Sequence, residues 1–283
     1  MFASIALTVS LALQTMPRSM WAWHGDKLLS DAKATQNFFR FLNAPKGDPA
    51  HKISVIFFEV ADPSDPNTSA LLKPFIARAH KDSVRVDFLC GDASYVRQSK
   101  MAEGLKLVDE IVAYNQSVSP KYRFDGFQYD VEPYALPDWP TPELRQGYMQ
   151  LFELTEKKIK AGGTPILLGA AIPRWFDKPD QHDLYKDVLD RVDYVAVMDY
   201  VDTSESFVND GANTVAYATK IGKKAWLGVE ASQLPDEPMA TFYAKGNSAI
   251  EYAFKAASSA FGSDRGFAGV AIEWYDTYVT LKP

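Results

Sequence analysis

Short runs rich in β-branched and aromatic residues recur along the chain, each followed by a helical or loop stretch. This alternation limits the fold more than any other feature. The runs are SMWAWHG (19–25), KISVIFFEV (52–60), VRVDFLCGD (84–92) and FDGFQYDVE (core 125–132). They continue with PILLGAAIP (165–173), DYVAVMDYV (193–201), KAWLGVEAS (224–232) and GFAGVAIEW (266–274). Helical periodicity fills the intervals, as in DKLLSDAKATQNFFRFL (26–42), YVRQSKMAEGLKLVDEIVAYN (95–115) and PELRQGYMQLFELTEKKIKAG (142–162). Strands alternating with helices pair in parallel through right-handed crossovers, and eight such units close into a (β/α)8 TIM barrel. No linker-like tract or repeat divides the chain, so a single barrel domain is expected over 19–283. No glycine-rich phosphate loop follows the first strand, which argues against a doubly wound open sheet.

Residues 1–18 are set apart. The apolar run FASIALTVSLALQ (2–14) is too short to span a bilayer as a helix. It reads either as the hydrophobic part of a secretory signal, without the usual basic lead-in, or as a plug for the barrel floor. A signal implies a secreted or periplasmic protein; a plug implies a cytoplasmic one. No later segment reads as an integral membrane span. A net charge of -6 with no long basic run argues against nucleic acid as partner. Cys90 is the only cysteine, so neither an intramolecular disulfide nor a cysteine-based zinc site can form. The four histidines show no ligand spacing, and neither metal nor cofactor is expected. Oligomeric state stays open.

In a parallel barrel, chemistry sits at the C-terminal ends of the strands. Polar residues gather there: Glu59, Asp87, Asp92, Asp130, Glu132, Arg174, Asp199, Tyr200, Asp202, Glu230 and Glu273. On the fourth strand, Gln128, Asp130 and Glu132 share one face and Phe127, Tyr129 and Val131 the other. The apolar set suits the layer beneath the helices, so the acids point into the barrel mouth. Two neighbouring carboxyls in a partly dry site resist double ionisation, and one keeps its proton near neutral pH. That is how a protein makes a general acid from a glutamic acid, here Glu132.

The stretch FDGFQYDVE resembles the strand 4 motif DGxDxDxE of the family 18 glycoside hydrolases, the chitinase-like barrels. The match runs through Asp125, Gly126, Asp130 and Glu132, with Gln128 in place of the middle Asp. VAVMDYV resembles that family's strand 6 motif through Met198 and Tyr200, with Val201 in place of its Asp, and GVAIEWYD resembles its terminal tryptophan strand through Trp274. The resemblance implies a distant relative. In it Glu132 protonates the glycosidic oxygen, Asp130 and Tyr200 orient a 2-acetamido group that attacks the anomeric carbon, and Trp274 floors the sugar.

Glu132-Pro133 and the strand 7 residue Glu230 also resemble the retaining glycosidases of clan A, with Glu230 as nucleophile, although Val131 replaces their Asn. Aromatic residues suit the apolar faces of sugars. Trp21, Trp23, Tyr134, Trp139, Trp175, Trp274, Tyr275 and Tyr278 are the candidates, with Arg174 pairing either an acidic sugar or Asp177. The substrate contacts expected are therefore Asp125, Gln128, Trp23, Trp139, Arg174, Trp175, Asp199 and Trp274. Two other functions compete: a carbohydrate-binding barrel without catalysis, and a metal-dependent hydrolase using Asp87, Asp130, Glu132 and Asp199.

Overall fold

A computed structural model of the chain describes residues 16–283, so the apolar run at 2–14 lies outside the described residues. The elements follow in order: β1 (Arg18–Ala22), α1 (Gly25–Ser30), α2 (Ala32–Asn43), β2 (Val55–Glu59), α3 (Pro66–Lys81), β3 (Arg85–Cys90), α4 (Met101–Ser117), β4 (Gly126–Tyr129) and α5 (Pro142–Gly162). Next come β5 (Leu167–Pro173), α6 (Leu184–Leu189), β6 (Tyr194–Met198), α7 (Ser204–Ile221), β7 (Lys224–Glu230), α8 (Asn247–Phe261), β8 (Phe267–Glu273) and α9 (Tyr275–Thr280). Every neighbouring pair of strands is parallel, and β8 pairs with β1 to close the ring. The fold is thus a single (β/α)8 TIM barrel. Among the described residues no helix is long and apolar enough to cross a membrane.

Two apolar layers follow from the twofold alternation of strand side chains. Outward-facing residues such as Ile56, Phe58, Phe88, Phe127, Val195 and Leu227 pack under the helices. Inward-facing Trp21, Phe57, Leu89, Tyr194, Ala196 and Trp226 fill the barrel. Trp21 is therefore core, only 1% exposed, and not a sugar platform. The filling is not wholly apolar. Asp87 faces inward toward the lower end of the barrel, accepting hydrogen bonds from Arg85 Nη2 at 2.8 Å and Tyr194 OH at 2.6 Å.

The strands are mostly shorter than their sequence runs, because the sheet ladder stops where the chain turns out into the loops. β1 begins at Arg18, inside the segment set apart by sequence, and Arg18 anchors to Glu251 of α8 through two 2.7 Å hydrogen bonds. The helix expected over 26–42 is two helices. Asp31 takes an extended conformation between them, and its Oδ1 accepts the amides of Lys33 at 2.8 Å and Ala34 at 3.1 Å. That is an N-cap, which starts α2 afresh. α5 spans 142–162 as expected, ended by Gly163 in the left-handed conformation (φ 66°) that glycine adopts freely.

Candidate active site

β4 is only four residues long, but the inward alternation continues past it. Asp130 donates its amide to Cys90 O at 2.8 Å, extending the pairing with β3 by one residue. Gly91 makes this approach possible, since a Cβ there would lie 1.8 Å from Asp130 O. Glu132 follows at the start of the Pro133–Ala135 turn. Its Oε1 accepts the Tyr134 hydroxyl at 2.7 Å, and Tyr134 is braced edge-on by Trp175 at 4.9 Å and Phe176 at 6.1 Å.

Glu230 and Glu273 join this pair from the far side. They are register partners at the tops of β7 and β8, and both face inward. Glu230 Oε1 accepts the Ser232 amide at 2.5 Å, while Glu273 Oε1 accepts the Trp23 indole N–H at 2.8 Å. Tyr200, just beyond β6, stands among all four acids: burial raises its hydroxyl first, then the charges of Glu273, Glu230, Asp130 and Glu132. Trp23, Tyr134, Tyr200 and Trp274 rim the barrel filling and are half-buried, so the mouth opens to solvent. Glu59 holds the His24 amide at 2.8 Å, and the His24 ring meets Trp274 at 5.4 Å. The Glu273–Trp274 peptide is cis.

Burial pushes the Asp130 carboxyl up to about 7, with the Glu132 charge adding to it. Its Oδ1 is buried and has no hydrogen-bond partner among the described residues. Burial also raises Glu230, against the pull of the Ser232 hydrogen bonds. Glu273 is raised well above the usual range by burial, then by the charges of Glu230 and Asp130. An acid whose neighbours are acids keeps its proton.

Several expected contacts lie elsewhere. Asp125 is at the opposite end of β4, where its Oδ2 meets His80 Nε2 at 2.9 Å and accepts the Val86 amide at 2.8 Å; it ties the barrel floor. Gln128 faces inward but is fully buried below Asp130, and neither amide atom has a partner among the described residues. Asp199 points the other way from Tyr200, because adjacent residues alternate faces. It is fully buried outside the barrel, where desolvation, then Asp210, raises it to about 8 against the pull of Arg174 and Lys178. Arg174 is taken by Asp210 of α7 at 2.6 Å, not by Asp177. Trp139 packs on α5, under the Arg145 guanidinium at 5.4 Å and against Tyr148 at 6.4 Å. With Asp87 on the barrel's inner floor and Asp199 outside it, the four acids of the metal-dependent scheme do not converge. The residue that site reading of the sequence left out is Glu273. Its position at the end of the eighth run was the available signal.

The acids and aromatic rings thus gather at the C-terminal mouth of a closed parallel barrel. No family model matches the chain, and no curated protein matches it. Solved structures do. A GH18 chitinase from Pseudoalteromonas aurantia is similar with a TM-score of 0.61 at 13% identity, over 93% of this chain and 97% of that one. A chitinase from Bacteroides thetaiotaomicron gives 0.56 at 14% identity, over 92% and 89%. The GH53 catalytic domain of Ignisphaera aggregans gives 0.55 at 12% identity, over 93% and 87%. At such identities the likeness is one of fold.

Proposed function

We propose that the chain is a glycoside hydrolase acting on a polysaccharide or glycoconjugate, with Glu132 as general acid. The carrying observation is the Asp130–Glu132 pair at the open barrel mouth, with Tyr134 holding one Glu132 oxygen and leaving the other to meet a leaving group. Asp130, protonated up to about pH 7, provides a donor beside it, and Tyr200 offers a hydroxyl in the same space. This set suits a substrate whose own 2-acetamido group attacks the anomeric carbon, held by Asp130 and Tyr200. Glu230 is buried, raised and committed to the Ser232 amide, which makes it a poor nucleophile.

The test is release of reducing sugar from a panel of glycans, chitin oligomers included. Glu132→Gln should lower turnover by about 10²–10⁴-fold, the worth of a positioned acid. Turnover unchanged in that variant refutes the assignment. Glycan binding without turnover in the unaltered protein replaces hydrolysis with a carbohydrate-binding barrel.

A further inference from the structure

The proposed chemistry uses the β4 acids and leaves the β7–β8 pair without a task. Glu230 and Glu273 face the mouth side by side, on the wall across from β4. Each has one oxygen fixed by a neutral donor, the Ser232 amide and the Trp23 indole. Glu230 is only 7% exposed, and among the described residues both carboxyls are held by neutral donors alone, Ser232 and Ala231 for Glu230 and the Trp23 indole for Glu273. The charges that weigh most on Glu273 are those of other acids, Glu230, Asp130 and Glu132. His24 lies against Trp274 rather than against either carboxyl, and Lys245, on the loop after β7, is taken by Asp202 at 2.7 Å. Glu59, the remaining acid nearby, is held by the His24 amide.

Once a ligand has displaced their protons, the two carboxylates only accept hydrogen bonds, so side by side they call for a ligand rich in donors. Buried acids without a counter-charge also favour a cation. Trp23, Tyr200 and Trp274 stand at the same end of the barrel, and aromatic rings attract ammonium groups. We infer that Glu230 and Glu273 form a subsite for the protonated free amine of an amino sugar, next to the sugar held by Asp130 and Tyr200. The inference rests on the mouth being a sugar site and narrows the substrate to a glycan carrying unacetylated amines. An anionic sugar would meet only acids there.

The experiment measures binding by calorimetry to the Glu132→Gln protein, which cannot turn substrate over. The probes are a tetramer of glucosamine and a tetramer of N-acetylglucosamine, each in two buffers of different ionisation enthalpy. The free-amine tetramer should bind with net release of protons, because an ammonium displaces them from the acids. Adding Glu273→Gln should weaken it by about tenfold or more, the scale of one charge-assisted hydrogen bond, and the acetylated tetramer by less than about twofold. Glu230→Gln should act in the same direction, which guards against misfolding of either variant. Equal weakening of both probes, or no binding of the free-amine tetramer, overturns the inference. Hydrolysis is judged separately: amine binding that depends on Glu273, in a wild-type protein that cleaves no glycan, sinks the hydrolase reading and keeps the ammonium subsite.

Discussion

Asp199 and Tyr200 are chain neighbours with opposite surroundings, and each behaves accordingly. Asp199 is buried with both carboxyl oxygens unpartnered among the described residues, and holds its proton to about pH 8. Its ordinary value of 3.8 applies once the chain unfolds. Between those limits the folded state binds more protons than the unfolded one, so stability falls as pH rises. Replacement by Asn removes this dependence. The variant should gain on the wild type as pH rises between about 4 and 8, read from urea denaturation at several pH values. Asp130 imposes the same direction on activity. With its proton lost above about pH 7, kcat should decline there, and Asp130→Asn should flatten that limb while lowering the maximum. Gly91→Ala places a methyl 1.8 Å from the Asp130 carbonyl oxygen, so the backbone must shift, and the variant should lose melting temperature as well as kcat.

Elements were legible wherever periodicity alone decides. Seven of the eight runs contain their strand whole and the first misses only Arg18, since a parallel barrel strand is apolar on both faces and reads as a block. The inward aim of Asp130 follows from the same alternation. Two kinds of information were not readable. Asp31 looks like one more polar residue on a helix face until its amide partners are seen. Its loss should cost about 1 kcal/mol as Asp31→Ala, measured by the urea midpoint, the usual worth of an N-cap. Partner choice was the other. Nothing in RWFDKPD discloses that Arg174 is taken by Asp210, or that the FDG aspartate, Asp125, belongs to His80 on the barrel floor. A charged residue near a strand end therefore misleads unless its counter-charge is known.

At the scale of the whole molecule, the barrel separates support from chemistry along its axis. Toward the floor, the buried Asp87 is matched by Arg85 and Tyr194, and removing it strands a guanidinium inside the ring. Asp87→Ala should cost about 3–5 kcal/mol in urea denaturation, with KM little changed in the molecules that remain folded. The mouth, by contrast, carries unmatched acids that oppose folding as pH rises. The Trp23–Glu273 hydrogen bond joins residues 250 positions apart, across the seam where β8 meets β1. A chain whose last strand has not docked therefore lacks part of its pocket, however well formed the other seven are. Closure of the ring and completion of the pocket become a single event, and the indole of Trp23 is placed to report it by fluorescence.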